Sequence, residues 1–264
     1  MNNECILEIK NLHVGLNATK AEEDIIKGVN LQLMPGDKLG VVGSSGGGKS
    51  VTFSASMGFL DPRKWNIRGE SIYKGNENIL AMKDQERNNF RRKKLGYIPQ
   101  NALNSLNPHM KIIDQMTDNI SFCKGVSRTE ARDTAMDGLE FIGIEPTESN
   151  LNKYPHQFSG GMRQRALIAM VLAKEPEILL ADEPSSALDV LNQARSVELL
   201  QKLMERYSFT MIYISHSPGM VKNLCNKIAV FRQGLIVETG DVESVINMPV
   251  SQEAKRLLGA ARLI

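Results

Sequence analysis

Apolar and polar residues alternate through "CILEIKNLHV" (5–14), and a period of two predicts a half-buried strand. The stretch "GVNLQLMPGDKLGVV" (28–42) carries the same pattern on both sides of a Pro35-Gly36 turn. After a glycine-rich loop, "SVTFSASMGFL" (50–60) reads as a helix. From about 88 to 165 the pattern is mostly helical and polar, apart from a short strand at "LGYIP" (95–99). Within it, Ser127 followed by Glu130 has the spacing of a capping box at a helix start. Two continuous apolar runs, "EILLAD" (177–182) and "TMIYIS" (210–215), predict buried parallel strands. The leucines between them recur at helical spacing. "KIAVFRQGLIVETG" (227–240) predicts a hairpin turning at Arg232-Gln233-Gly234, and "VSQEAKRLLGAARLI" a closing helix. Strands alternating with helices predict an α/β core, with a mainly helical insert.

Composition narrows the function classes. With 264 residues, 42 % hydrophobic and 23 % charged, the chain has the makeup of a globular protein with one large domain or a core and subdomain. A formal net charge of only +2 gives no case for a nucleic-acid partner, and "RRKK" (91–94) reads as a solvated surface run. Cys5, Cys123 and Cys225 are scattered, which argues for a reducing compartment and against a disulfide frame or zinc site. The start of the sequence, with Glu4 and no long apolar run, does not read as a secretory signal. The longest purely apolar stretch, "ALIAMVLA" (166–173), is far short of the ~20 residues a membrane helix needs. The expectation is a soluble chain that works beside a membrane.

The candidate chemistry begins at "GSSGGGKS" (43–50), which fits G-x-x-x-x-G-K-S/T between a predicted strand and a predicted helix. The amides of Gly43, Ser44, Ser45, Gly46, Gly47 and Gly48 can curl around a phosphate where side chains would obstruct it. Lys49 adds a point charge for the β- and γ-phosphates, and Ser50 a hydroxyl for Mg²⁺. "ILLADEP" (178–184) supplies the acidic half: Asp182 suits a Mg²⁺ contact through water, and Glu183 suits a base that polarises an attacking water. A second anion-binding turn, Ser159-Gly160-Gly161 with Met162, stands before "RQRALIAMVLA". Taken without context, it reads equally well as a plain helix cap.

These motifs, with Gln100 after a strand, "SALD" (186–189) and His216 in "ISHS", fall in one order along the chain. They resemble, over nearly its whole length, the nucleotide-binding subunits of ATP-binding cassette (ABC) transporters. The resemblance implies a P-loop NTPase core with an antiparallel β subdomain and an inserted helical subdomain. The whole is read as one ATP-binding domain, with its core at 1–90 and 165–264 and the insert at about 100–160. It further implies ATP and Mg²⁺ as ligands and a head-to-tail pair of cassettes. In such a pair the Ser-Gly-Gly of one subunit covers the γ-phosphate held by the other, so a lone chain has two half-sites. Gln100 is expected to touch Mg²⁺ and water, His216 to hold the γ-phosphate and orient Glu183, and Asp189 to help join the subunits.

Within the family, "PQNALNSLNP" (99–108) and "YPHQFSGGMRQR" (154–165) are similar to the branch that imports peptides and nickel. That implies a second, related but different ATPase subunit, two transmembrane subunits, an external solute-binding protein, and a place at the cytoplasmic face of a membrane. The short segment after the hairpin inclines this reading to the nickel or metal-chelate side. Ser44 and Gly47 stand where the branch usually has Glu and Ser, Phe158 where Leu is usual, and Ser217 where Asp is common. Leu16 falls where the family stacks adenine on an aromatic ring, with His13 nearby as a substitute, so weaker or less purine-selective binding is expected. Two other functions share the motifs: an ATPase of a soluble, carbon–phosphorus-lyase-like complex, and a regulatory subunit with a degenerate site. Intact Lys49, Asp182, Glu183 and His216 weigh against the latter.

Overall fold

The computed structural model describes residues 4–17, 23–100, 104–184 and 190–261. Asp189, expected at a subunit contact, lies outside them. The chain forms two compact units, one from the residues up to Arg91 together with those from Thr210 onward, the other from Arg92–Phe209.

The first unit opens with β1 (Leu7–Leu16), β2 (Ile26–Leu33), β3 (Lys38–Gly43), α1 (Lys49–Ser56), β4 (Trp65–Tyr73), β5 (Glu77–Asn78) and most of α2 (Asp84–Lys94). β2-β1-β4-β5 make an antiparallel sheet. Along β1 the buried apolar positions change phase, from Leu7 and Ile9 to Leu12 and Val14. A strict period of two would put one of these pairs on the wrong face. A register shift between Ile9 and Leu12 absorbs the extra residue, so both pairs reach the core. The Pro35-Gly36 turn closes with Asp37 N–H on Met34 O at 3.1 Å, and the Asp37 carboxylate accepts from Met34 N–H at 2.7 Å. What reads in the sequence as one strand pair divided by that turn is thus a junction: β2 stays in the antiparallel sheet and β3 starts a parallel one.

The second unit holds β6 (Leu95–Ile98), α3 (Ile112–Lys124), α4 (Arg128–Phe141), α5 (Glu148–Leu151), α6 (Gly160–Leu172), β7 (Ile178–Asp182) and α7 (Val190–Arg206). β6 and β7 are parallel, in a register that pairs Ile98 with Ala181. All five residues of β7 are buried, as its continuous apolar run requires. Ser127 caps α4 by accepting from Glu130 N–H at 3.2 Å, the half of the expected capping box that lies on the serine side chain.

The chain then returns to the first unit with β8 (Thr210–Ile214), α8 (Pro218–Leu224), β9 (Lys227–Arg232), β10 (Leu235–Asp241), α9 (Val242–Asn247) and α10 (Gln252–Ala261). In this unit the order is β10-β9-β3-β8, with β3 parallel to both β8 and β9 and the predicted hairpin forming the β9–β10 pair. β4, β5, α8 and α9 are additions to the elements read from sequence. Among the described residues, no helix is long and apolar enough to cross a membrane.

Candidate functional site

In the first unit, β3 ends at Gly43 and α1 begins at Lys49, so the intervening loop sits at the C-terminal end of a buried parallel strand. Gly48, the N-cap of α1, has φ 97°, and Gly46 has φ 72°, both in the left-handed region that favours glycine. A Cβ on Gly48 would also stand 2.6 Å from Ile26 Cδ1. Gly47 O accepts from Gly234 N–H at 3.0 Å, which ties the loop to the β9–β10 turn. The Lys49 side chain is buried inside the loop, its Nζ donating to Gly43 O and Ser44 O at 2.9 Å each. The first turn of α1 contains no acidic residue, so its amide end keeps its full attraction for an anion. Ser50 follows in that turn, half-buried, while Ser45 and Gly46 are exposed at the rim. Curled amides, a buried cation and a helix N-terminus make this loop a phosphate cradle.

His216 lies in the same unit, exposed, two residues past the end of β8. Ser217 after it caps α8, accepting from Met220 N–H at 3.5 Å. An aspartate at that position could cap in the same way, which explains why serine serves.

Leu16 closes β1, exposed and paired across the strands with Trp65. His13 does not replace a ring there. Three residues apart, the two point to opposite faces of the strand. Both nitrogens of His13 are also engaged, Nδ1 with Asp24 at 3.2 Å and Nε2 with Asn11 at 3.1 Å.

In the second unit, the β6–β7 register brings Gln100 and Glu183 together. Each lies two residues beyond the paired Ile98 and Ala181, at the same C-terminal edge. Gln100 Nε2 donates to Glu183 Oε2 at 3.0 Å. Asp182, the last residue of β7, is buried. Burial, together with the negative charge of Asp182, holds the Tyr97 phenol above its ordinary pKa. Glu183 has φ 48°, a left-handed conformation costly for a side-chain-bearing residue. A carboxylate held at that angle by a side-chain amide can orient a water molecule.

Ser159 is the N-cap of α6, its hydroxyl oxygen accepting from Met162 N–H at 3.3 Å. The plain-cap reading is therefore met on this chain. The exposed serine keeps its own hydroxyl proton, and the amides of Gly160 and Gly161 lie in the first turn, where helix N–H groups have no intrahelical acceptor.

One residue escaped the motif reading. Gln164, almost wholly buried on α6, donates through Nε2 to Pro184 O at 2.5 Å and accepts at Oε1 from the Ser196 hydroxyl at 3.1 Å. A lone Gln in an amphipathic helix carries no pattern. The one available signal was an amide among apolar residues in "RQRALIAM".

A family model described as "ABC transporter" matches residues 26–186. The oligopeptide transport ATP-binding protein OppD of Bacillus subtilis (strain 168) is 40 % identical over 245 residues, covering 92 % of this chain and 68 % of that protein. The dipeptide transport ATP-binding protein DppD of Lactococcus lactis subsp. cremoris is 40 % identical over 250 residues, covering 94 % and 71 %. Among solved structures, a dimeric ATP-binding cassette in a post-hydrolysis state, bound to ADP and Pi, superposes with a TM-score of 0.75. Its identity is 28 %, and the match spans 89 % of this chain and 98 % of that one. The chain belongs to the ABC transporter family, as an ATP-binding cassette that hydrolyses ATP.

Proposed function

We propose that this chain is the ATP-hydrolysing subunit of a peptide importer, working head to tail with a second, related cassette against two transmembrane subunits. The observation that carries the catalytic part is the Gln100 amide on the Glu183 carboxylate at 3.0 Å, directly after Asp182. Peptides are favoured over nickel or chelates as cargo because the two similar relatives are named for oligopeptide and dipeptide transport. An external solute-binding protein would deliver the peptide, and the cassette would sit at the cytoplasmic face of the membrane.

In this reading, Lys49 and the amides of residues 43–50 bind the β- and γ-phosphates. Ser50, Asp182 and Gln100 offer hydroxyl, carboxylate and amide oxygens, the hard donors Mg²⁺ takes, and such an ion would neutralise phosphate charge when bound. Since Gln100 spends Nε2 on Glu183, its Oε1 stays available for that purpose. Glu183 orients the attacking water, and His216 holds the γ-phosphate. Ser159, Gly160, Gly161 and Met162 cover the ATP of the partner cassette, with Asp189 at the contact. Phosphoryl transfer is mostly positioning and charge stabilisation, so closure of the pair is the switch.

The test is a tagged pull-down from detergent-solubilised membranes of the native host, with every co-purifying protein identified. Recovery of two multi-span proteins and a second ATPase is expected, after which the associated binding protein can be screened with peptides and nickel. Recovery of soluble proteins alone, with the chain absent from the membrane fraction, would replace this reading by the soluble carbon–phosphorus-lyase-like one.

A further inference from the structure

Glu183 occupies a left-handed backbone conformation that its side chain disfavours, so something must hold it there. The Gln100 amide grips the carboxylate from one side, but it is exposed and cannot by itself fix the main chain. The stronger restraint acts on the next residue. Pro184 is buried, and its carbonyl accepts from Gln164 Nε2 at 2.5 Å. The carbonyl sets the orientation of that amide: it can only accept, so Nε2 must face Pro184, and Oε1 is left to accept from Ser196 Oγ at 3.1 Å. Gln164 is 1 % exposed and Ser196 5 %, so neither bond competes with solvent. The chain of contacts runs from α7 through α6 to the Glu183-Pro184 turn. It passes through the helix that Ser159 caps, with Ser159 five residues and about 7.5 Å of helix rise before Gln164.

We propose that Gln164 is a positioning residue for Glu183, holding the Pro184 carbonyl and hence the angle at which the carboxylate meets Gln100. The N-terminal end of α6 and the Glu183 turn then move as one piece. This inference rests on Glu183 being the water-orienting group, as proposed above.

A double-mutant cycle on ATP turnover tests it, using the complex recovered by the pull-down, in which the partner cassette completes the site. Gln164→Met keeps volume and burial but removes donor and acceptor. It should lower kcat by about ten- to a hundredfold with KM for ATP unchanged, since misorientation at the reacting water costs rate rather than binding. In a Glu183→Gln background the same substitution should have no further effect on the residual rate. Gln164→Glu supplies a second reading: only a protonated carboxyl can donate to Pro184 O, so its kcat relative to wild type should rise as pH falls. Ser196→Ala, which removes the donor to Gln164 Oε1 and loosens the side chain, should lower kcat by a smaller factor, with KM again unchanged.

A loss that multiplies fully in the Glu183→Gln background would overturn the proposal, since Gln164 would then act on something other than Glu183. So would an unchanged kcat in a Gln164→Met chain whose melting temperature matches wild type. Full turnover by Glu183→Gln alone would instead remove the base assignment, and that outcome is distinguishable from the other two.

Discussion

At the scale of single residues, the phosphate loop and the Glu183 turn are governed by backbone angles as much as by charge. Gly46 and Gly48 both have positive φ, but a Cβ on Gly46 would meet nothing within 4 Å, whereas one on Gly48 would press on Ile26. Gly46→Ala should therefore cost only the left-handed strain, about 1–2 kcal/mol. Gly48→Ala adds steric overlap and should destabilise further, as comparison of the two thermal melts will reveal. Glu183→Gln keeps shape and removes the negative charge, so the variant should bind ATP while turnover nearly vanishes. Substantial residual hydrolysis would take Glu183 out of the base role. Leu16→Tyr would restore a ring where the strand ends exposed. Using the scale of base–aromatic stacking, a gain of about 1–3 kcal/mol in ATP binding is expected, read by calorimetry. An unaffected affinity would mean that adenine is held elsewhere.

At the scale of elements, α6 shows how one helix serves several ends. Its first turn presents Ser159 and two glycines, and its buried face carries Gln164 to the turn after β7. At the other end of the chain, β10 holds the link between α9 and α10. The Glu238 carboxylate accepts from Val250 N–H at 2.9 Å and Ser251 N–H at 2.7 Å. Partial burial pushes its pKa up, but the two amides, the Ser251 hydroxyl and the charge of Lys255 together outweigh it and hold the carboxyl below its ordinary value. A depressed native pKa means stability that is present above the unfolded value and lost as pH falls through the native one. Glu238→Gln should thus melt lower than wild type at neutral pH, by about 1 kcal/mol for so solvent-accessible a group. The gap should close as pH falls through the depressed native value; a constant gap across the titration would argue against this linkage. The elements that escaped the sequence pattern have physical reasons too. β4 alternates over Trp65-Asn66-Ile67-Arg68, but exposed Gly69 and Glu70 break the pattern before Ser71, so no run is long enough to announce it. α8, at seven residues, spans about two turns, too short for a helical period to register.

At the scale of the whole molecule, burial decides which groups can react. Cys225 is half-buried in the first unit, and burial pushes its thiol up to about 12 against a pull from Lys38. The reactive species is the thiolate, so Cys225 in the native chain should alkylate roughly a thousandfold more slowly than in the unfolded chain. Equal rates by mass spectrometry would show that this face opens in solution. The amino-acid sequence by itself determined the family, the phosphate loop and the Asp182-Glu183 strand end. Such features are local: a loop that must curl around an anion needs glycines at set spacing, and a doubly covered strand needs a continuous apolar run. Gln100 and His216 were legible only through the family resemblance, which matched each to its place after a predicted strand. Tertiary structure alone decided that β2 and β3 join different sheets, that His13 turns away from Leu16, and that Glu183 is held in a left-handed turn by Gln164 and Gln100. Strand partners, faces and buried amide bonds depend on residues brought together from far apart in the chain, and no local spacing encodes them.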